Sequence, residues 1–585
     1  MNHGYLIKNG TIVDGTGKAP FKADLRVRDG RITALETMLE REGRERVVDA
    51  TGCYVTPGFI EVHNHFDGPM WWTPTMEPMS GYGVTTSMNG NCGFSAAPVS
   101  DDPAVRAEMV RIFSFFEDIP QKPFLELLPW DWRTWSEYRA SMQRNVRIPV
   151  NYGAFVGHIA LRLAVMGMEA WDRAARPDEV ERMCELLKDG LNAGALGLSS
   201  NLLDHDGYDR PVPSWKADDA EWAALFDVLA AHEGAVVEII VDYLIRLNAD
   251  DSIQRMARIA KGKKIRIQLT GAVPTHAFAA QFIPNALARF EQLKAEGYDF
   301  WTSYHHRAPT VLLNFLTAIH FAMTNNFGWA ELVNMKDVEA KYALLADPEW
   351  RARARAGWDQ AKPQSPLLKV DEVLLMESET GAGPVGGMLG DFLRSTGAAH
   401  PSDALADWVL ENGVHSVLRL GEVPKHEGTL SRLFRDKRAL GNVSDSGAHG
   451  QMFCGIGDNV LLLTKYVRDD KQLKIEEAVY ILTGQLAEHF SLSDRGVLAV
   501  GKAADIAVFD LDEIQVRPEE KRWDVPDGEG GRTYRWIRPP APMRLTMVNG
   551  VPTFDNGDFT GKFPGHYIGP ASVDATSPAR VLENA

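Results

Sequence analysis

The stretch that decides the fold is "PGFIEVHNHFDG", residues 57–68. Pro57 and Gly58 introduce an apolar run that ends in two histidines, His63 and His65. Strand side chains alternate between faces, so residues i and i+2 point the same way and both imidazoles share one face. Two neutral imidazoles with a carboxylate nearby suit Zn²⁺ or a similar divalent cation. The pattern therefore predicts a strand that carries metal ligands at its end. A pair of hydrogen-bonded polar residues at a barrel rim is the alternative.

Seven further apolar segments follow this strand, and helical patterns such as those at 177–194 and 219–234 lie between most of them. The eight predicted strands are 59–65, 85–93, 150–158, 195–200, 235–242, 264–271, 299–306 and 440–449. Alternation of strands and helices is typical of a parallel sheet covered by helices, and eight such units predict an α/β fold of the (β/α)₈ TIM-barrel type. In such a barrel the active site lies at the carboxyl ends of the strands.

The two ends of the chain have a different pattern. Short alternating segments separated by Asn-Gly and Asp-Gly turns predict hairpins there. We expect residues 1–56 and 493–585 to form one small β-sandwich domain, and residues 57–492 to form the barrel. The interval 307–439 is too long for a loop. We interpret it as a mostly helical insertion near the barrel mouth that covers the metal; a peripheral appendage is the alternative.

Composition excludes several classes of protein. The formal net charge of -17 argues against a nucleic acid or an anionic membrane surface as partner. The four cysteines form no pattern typical of disulfide frameworks or zinc ribbons. The first residues lack a signal-peptide pattern, and no apolar run reaches the roughly 18 residues of a membrane span. We expect a cytoplasmic protein with a small-molecule substrate, and homo-oligomerisation is left open.

Polar residues at the predicted strand ends are the candidates for chemistry. Asp445, in "SDSGAH" on the last strand, lies next to the first strand when the barrel closes, and is a candidate metal ligand. The candidates for substrate binding are His158, Arg162, Ser199, His305, His306 and His449. A guanidinium such as that of Arg162 suits a carboxylate. A structural His158–Arg162 pair that pins a loop is an equal alternative.

Several stretches in the same order resemble one known family. They are "NGTIVDGTG", "PGFIEVHNHFDG", "GVTTSMNGNCGFSAAP", "VGHIALRLAVMG", "AGALGLSS", "SDSGAHG" and "RGVLAVGKAADIAVFD". The chain resembles the amidohydrolase superfamily, and within it the D-aminoacylase, or N-acyl-D-amino-acid deacylase, group. The resemblance implies zinc bound by His63, His65 and Asp445, with Cys92 as a further ligand. A thiolate is a good zinc ligand; a small buried apolar residue is the alternative for Cys92.

The chain departs from the family pattern on strands five and six. The resemblance implies a metal-binding histidine on each, but "AVVEIIVD" and "KIRIQLTG" contain none. The residues that could replace them are Glu238, Asp242, Gln268 and His276. We therefore expect one zinc ion rather than two.

The expected function is hydrolysis of the C–N amide bond of a small N-acylated amino acid, and the family resemblance implies the D configuration. A zinc-activated water is the nucleophile, and Asp445 is the general base. A barrel of this type that has lost its metal and binds a small ligand without hydrolysing it is the alternative.

Overall fold

The computed structural model describes residues 4–570, apart from 207–209, 242–248, 273–278, 308–309, 317–320, 322–326, 336, 362–364 and 423–424. Its strands are β1 (Tyr5–Ile12), β2 (Phe21–Arg28), β3 (Arg31–Glu36), β4 (Arg46–Asp49), β5 (Tyr54–Pro57), β6 (Phe59–Glu61), β7 (His63–Asn64), β8 (Val84–Asn89), β9 (Asn151–Ala154), β10 (Val156–Gly157), β11 (Gly197–Leu202), β12 (Val236–Val241), β13 (Arg266–Ala272), β14 (Asp299–Tyr304), β15 (Leu312–Leu313), β16 (Leu374–Glu377), β17 (Val417–Arg419), β18 (Ala439–Leu440), β19 (Val443–Ser446), β20 (Ile506–Phe509), β21 (Glu520–Pro526), β22 (Arg532–Ile537), β23 (Met543–Val548), β24 (Val551–Asp555) and β25 (Asp558–Phe559).

Helices separate most of the central strands. The α-helices are α1 (Pro103–Glu117), α2 (Gln121–Leu127), α3 (Trp135–Asn145), α4 (His158–Met166), α5 (Pro177–Asn192), α6 (Asp219–Ala230), α7 (Ala249–Ala260), α8 (Ala279–Ala295), α9 (Phe327–Asn334), α10 (Val338–Ala346), α11 (Pro348–Asp359), α12 (Leu389–Thr396), α13 (Pro401–Asn412), α14 (Glu427–Leu433), α15 (Asp458–Leu461), α16 (Ile475–Leu482) and α17 (Gly484–His489). A π-helix continues α15 over Leu462–Asp469.

The central parallel strands pair in a cyclic order. One sheet has the order β6-β8-β9, a second has the order β10-β11-β12-β13-β14-β18, and β19 pairs with β7. One or two residues of the chain separate β6 from β7, β9 from β10 and β18 from β19, so the three sheets follow one another and return to the first strand. Val443 pairs with His63 at this closing contact. Each of the eight predicted strand segments overlaps an observed strand, and because the strands are parallel their carboxyl ends lie on one side.

The central strands are buried because helices pack against them. All six residues of β8 and all six of β11 are buried. Helix α5 is an example of a helix that packs on these strands. It begins at Pro177, whose fixed φ suits the first turn of a helix. Met183, Leu187 and Leu191 recur at a spacing of four residues and form its buried face. Strands of this kind need no polar face, and their sequences are accordingly short apolar or small-residue runs.

Both termini contribute to one sheet. Nine strands form it, in the order β25-β24-β23-β20-β5-β1-β2-β3, with β4 paired to β1. The contact between the two ends of the chain is antiparallel, with Val508 of β20 opposite Val55 of β5. This sheet joins residues from both predicted parts of the terminal domain. Its buried apolar cluster includes Ile12, Leu25, Val55, Ile506 and Met547.

The insertion differs from the helical stretch that its sequence suggests. Strands β15, β17 and β16 form an antiparallel sheet within it, and five helices, α9 to α13, surround a buried core of their own. The stretch "DWVLENGVHSVLRL" is helical only to Asn412, because Gly413 takes a left-handed φ of 95° and ends the helix. Val417–Arg419 then forms β17. Similarly, "LLNFLTAIHFAMTNNF" opens with the strand Leu312–Leu313, and 317–320 and 322–326 lie outside the described residues.

The insertion contacts the part of the chain that follows the last parallel strand. The Leu312 amide donates to the Met452 carbonyl at 2.8 Å. The Asn314 side chain donates to the Tyr534 hydroxyl at 2.8 Å, which connects the insertion to the β21–β22 hairpin. This hairpin also reaches residue 450, because the Trp536 amide donates to the Gly450 carbonyl. Insertion and hairpin therefore both contact the stretch just beyond β19.

All four cysteines of the chain lie among the described residues. Its four cysteines, Cys53, Cys92, Cys184 and Cys454, are free thiols. Among the described residues, no helix has the length and apolar character needed to cross a membrane.

Candidate metal centre

The carboxyl ends of the first, second and eighth parallel strands bring four predicted ligands together. The Cys92 Sγ lies 3.2 Å from the His63 Nε2. The Asp445 Oδ1 lies 3.8 Å from the His63 Nε2 and 3.2 Å from the His65 Nε2. His63, His65 and Cys92 are buried, and each can direct one donor atom to a common point.

These atoms fit a divalent cation. With Zn–N bonds of about 2.0–2.1 Å, two donors on one tetrahedral zinc lie about 3.4 Å apart, close to the observed separations. The His65 Nε2 and the Asp445 Oδ1 are buried without a hydrogen-bond partner. Buried polar atoms normally have partners, and ligation by a cation would satisfy these two. The imidazole, thiol and carboxylate donors also match the ligands that zinc prefers.

Backbone geometry at the site is unusual. Cys92, Asp445 and His449 have left-handed φ values of 56°, 59° and 52°. Such values are uncommon for residues other than glycine and often occur at functional sites. Beside Cys92, Gly90 has a φ of 69°, and a Cβ there would lie 2.7 Å from the Phe155 carbonyl oxygen. The "GNCG" turn therefore needs a glycine before the cysteine.

Strand four holds this turn in place. The Gly93 amide donates to the Ser199 Oγ at 3.1 Å, and the Ser199 hydroxyl donates to the Gly90 carbonyl. The Asn201 side chain donates to the Cys92 carbonyl at 3.1 Å. Ser199, suggested by its sequence position for substrate binding, thus positions the turn that carries Cys92.

Glu238, on the fifth strand β12, lies on the Nδ1 side of the His63 ring. Its Oε1 lies 3.8 Å from the His63 Nδ1, and its Oε2 accepts the Cys92 amide at 3.0 Å. Burial raises the pKa of Glu238 to about 7. Carboxylates often orient metal-binding histidines through the ring nitrogen that faces away from the metal. This placement suits an orienting group for His63 better than a replacement ligand.

The other candidate replacements contact other side chains or lie outside the described residues. The Gln268 Oε1 lies 2.8 Å from the His489 Nε2, and its amide donates to the Thr270 hydroxyl. Gln268 is therefore occupied by neighbours on the sixth strand and on α17. Asp242 and His276 lie outside the described residues.

Sequence reasoning missed one acidic neighbour of the cluster, Glu117. The Glu117 Oε2 at the end of α1 lies 3.6 Å from the His65 Nε2. It also lies 3.7 Å from the His449 Nε2. Nothing in "FSFFEDIP" distinguishes this glutamate from an ordinary helix-terminal residue. Its role becomes visible only when the chain between β8 and β9 is folded.

Burial and neighbouring charges shift the pKa values of the cluster residues in different directions. Burial lowers the pKa of His63 to about 3, which keeps a lone pair on the ring. Burial also opposes the charged form of His65, but Glu117 and Asp445 outweigh it and raise the pKa to about 9. Burial would raise the pKa of Asp445, yet the His65 imidazole 3.2 Å away and the neighbouring histidines His449 and His63 hold it well below its usual value. The centre therefore attracts positive charge, which either a proton or a metal cation supplies.

His158 and Arg162 bind a buried glutamate on α6. The His158 Nε2 lies 2.9 Å from the Glu221 carboxylate, and its Nδ1 lies 3.0 Å from the Ser200 Oγ. Arg162 pairs with the same carboxylate and donates to the Ala170 carbonyl at 3.1 Å. Both side chains are fully buried. These contacts favour the structural pair over a clamp for a substrate carboxylate.

The predicted substrate-binding residues His305 and His306 directly follow the seventh strand, β14. The His306 Nε2 lies 2.7 Å from the Asp458 carbonyl oxygen, and the Arg307 Nε lies 2.7 Å from the Asp458 carboxylate. Burial and the charge of Lys425 lower the pKa of His305 to about 4. The Lys425 Nζ itself is buried and has no hydrogen-bond partner in the part of the chain that the structure describes. Sequence reasoning did not single out Lys425, which comes from the chain leaving the insertion.

The chain matches one protein family and is similar in sequence to several known proteins. The model of the amidohydrolase family matches residues 46–362 and 401–554. An uncharacterized protein of Mycobacterium tuberculosis is 29% identical, over 97% of this chain and 94% of that protein. An N-acyl-D-glutamate deacylase of Alcaligenes xylosoxydans xylosoxydans is 26% identical, over 89% of each.

A solved structure has a similar fold. The N-acyl-D-glutamate deacylase of Bordetella bronchiseptica, complexed with zinc and a phosphonate mimic of the tetrahedral intermediate, has a TM-score of 0.64 and 23% identity. The match covers 97% of this chain and 99% of that one. This likeness shows a shared α/β fold.

Proposed function

Because the chain belongs to the amidohydrolase family, within its D-aminoacylase group, we propose that it is a metal-dependent hydrolase of a small N-acylated amino acid, with the D configuration as the first candidate. It is a hydrolase acting on carbon–nitrogen bonds other than peptide bonds. The observation that supports the metal-dependent reaction best is the convergence of His63, His65, Cys92 and Asp445, in which the His65 Nε2 and the Asp445 Oδ1 are buried and have no hydrogen-bond partner among the described residues.

The proposed chemistry follows from the positions of these side chains. A divalent cation, when bound, supplies Lewis acidity that polarises the scissile carbonyl and makes water a better nucleophile. His63, His65 and Asp445 would hold it, with Cys92 as the further donor. Asp445 keeps an ionised carboxylate and can accept a proton from the attacking water. It then donates this proton to the leaving amine, so one residue serves as base and then as acid.

We also propose how the chain is divided into domains. The cyclic order of parallel pairings supports a (β/α)₈ barrel at 57–492. The nine-stranded sheet shared by both termini supports one composite domain for 1–56 and 493–585, and a β-sandwich is proposed for it. The insertion at 307–439 is proposed to cover the metal, because it contacts the stretch that follows Asp445.

Lys425 supports a substrate that carries a carboxylate. Its Nζ is buried and has no hydrogen-bond partner, while the nearby charge of Arg307 is matched by Asp458. Burial lowers the pKa of Lys425 to about 7. An N-acylated amino acid would supply the missing negative charge, so Lys425 is proposed to receive its carboxylate. His305 is proposed to line the same side of the site, since the charges of both Lys425 and Asp445 act on it.

The test combines activity with metal content. Purified protein is assayed for amine release from N-acetyl-D-glutamate, N-acetyl-D-methionine and their L enantiomers, and its metal is measured by elemental analysis. We expect hydrolysis of at least one D substrate and close to one divalent ion per chain, most simply zinc. Two tightly held ions would contradict the single site. A metal-free protein that binds these compounds without cleaving them would favour the non-hydrolysing alternative.

A further inference from the structure

Glu117 and His449 face the His65–Asp445 pair from outside the predicted ligand set. The His449 Nε2 lies 3.6 Å from the Asp445 Oδ2 and 3.7 Å from the Glu117 Oε2. The Glu117 Oε2 lies 3.6 Å from the His65 Nε2, which lies 3.2 Å from the Asp445 Oδ1. The two imidazoles and two carboxylates therefore form a closed ring.

Direct ion pairs do not explain this spacing. Charge-assisted hydrogen bonds between nitrogen and a carboxylate normally close to about 2.7–2.9 Å. Three of the four separations in the ring exceed ordinary hydrogen-bond lengths. The His65 Nε2 and the Asp445 Oδ1 are buried with no hydrogen-bond partner. Ligand atoms that bind one cation at about 2.0–2.2 Å lie roughly 3.0–3.4 Å apart, close to the separations in the ring.

The backbone also couples the two outer residues. The His449 amide donates to the Glu117 carbonyl, and the His449 carbonyl in turn accepts the Met452 and Phe453 amides. Helix α1 and the turn after β19 are thus fixed to each other at the residues that present the donors. Glu117 is 3% exposed, and the His449 side chain is 14% exposed.

We infer that Glu117 and His449 are ligands of the same cation as His65 and Asp445, so that donors from α1 and from the turn after β19 replace the histidines missing from strands five and six. The inference rests on the proposed function only in assuming that a divalent cation binds. His449 is then a metal ligand rather than a substrate-binding residue. Glu238 remains behind His63 and outside the ring.

The first experiment uses the wild-type protein, so folding of a variant is not a concern. Crystals of zinc-loaded protein are measured at the zinc absorption edge. We expect the anomalous peak within bonding distance, about 2.0–2.2 Å, of the Glu117 carboxylate and the His449 Nε2. A peak that contacts only His63, His65, Cys92 and Asp445 overturns the assignment.

The second experiment measures zinc affinity by competition with a chromophoric chelator. Glu117→Gln and His449→Asn are compared with Glu126→Gln, an exposed glutamate on α2. We expect each ligand variant to lose at least about tenfold in zinc affinity, and the control to retain the wild-type value. A smaller loss in either variant overturns its assignment. Circular dichroism confirms that the compared proteins are folded.

The two proposals fail separately. If Glu117→Gln binds zinc weakly but the wild-type protein cleaves no N-acylated amino acid, the ligand assignment stands and the proposed substrate is wrong. If the wild-type protein cleaves such substrates while Glu117→Gln and His449→Asn keep full zinc affinity, the substrate proposal stands and the ligand assignment is wrong.

Discussion

Asp445 lies among three histidines of the candidate metal centre. Its Oδ1 faces His63 and His65, and its Oδ2 faces His449. The surrounding histidines hold its pKa well below the usual value although burial acts in the opposite direction. The carboxylate is therefore ionised at neutral pH, as a general base must be. Its left-handed φ of 59° directs it from the strand end into the cluster.

The first prediction concerns this carboxylate. Asp445→Asn keeps the shape but removes the basic oxygen, so turnover should fall about 10²–10⁴-fold, the range typical of general acid–base catalysis. Steady-state rates on the best N-acetyl substrate provide the measurement, with zinc content determined in parallel. Asp470→Asn, at an exposed position, serves as the control. Near-normal turnover of the metal-loaded variant would remove Asp445 from the mechanism.

At this scale the sequence carries only part of the site. His63 and His65 could be predicted from their spacing, and Asp445 and Cys92 from their strand ends together with the family resemblance. Glu117 could not, because it ends a helix whose position relative to the strand ends depends on the whole path from β8 to β9. Lys425 could not be predicted for the same reason: it lies near the end of the long insertion, and no local pattern indicates where its side chain goes.

At the scale of elements, α4 and α6 are connected through buried charges. The Glu221 carboxylate on α6 contacts the side chains of both His158 and Arg162 on α4, and all three side chains are fully buried. The eight strand segments could be predicted because they are short apolar runs between turn and helix signals. The strand β17 could not, since "DWVLENGVHSVLRL" has helical spacing and only Gly413 divides it.

The second prediction concerns this buried contact. Glu221→Ala leaves the Arg162 guanidinium buried without its carboxylate, so the free energy of unfolding should fall by about 3–5 kcal/mol. Chemical denaturation followed by circular dichroism measures it, with the exposed Glu181→Ala as control. The double variant Glu221→Met, Arg162→Met should lose less, because no unpaired charge remains. A double variant as unstable as Glu221→Ala would argue against the unpaired charge as the cause.

The third prediction concerns the chain leaving the insertion. Lys425→Met removes the unpaired ammonium while keeping an apolar side chain of similar length. If Lys425 receives the substrate carboxylate, kcat/KM on an N-acetyl amino acid should fall by at least about tenfold, as expected for loss of a charged hydrogen bond. The corresponding carboxamide, which lacks the charge, should be affected little. An equal effect on both substrates, or none on either, would contradict the carboxylate contact.

At the scale of the molecule, three parts of the chain meet near the metal centre. The insertion reaches the stretch after β19 through Leu312, and the β21–β22 hairpin reaches the same stretch through Trp536. Hairpin and insertion also contact each other, since Lys521 pairs with Glu377. The composite arrangement explains why a terminal segment remote in sequence carries residues close to the candidate metal centre.

The fourth prediction tests whether insertion and hairpin cover the site. Both contact residues 449–454, which directly follow Asp445, so we expect the centre to admit only small substrates, and exclusion of water would strengthen its electrostatic interactions. Two amides of the same N-acetyl-D-amino acid are compared: one with methylamine and one with a lysine of a folded carrier protein. Neither carries a free carboxylate, so they differ in size alone. The methylamide should be cleaved, and the carrier conjugate should react at least about 100-fold more slowly, because a covered site denies it the near-attack geometry. Equal rates for the two amides would show that the site is open to large molecules, and that insertion and hairpin act only as structural supports at its edge.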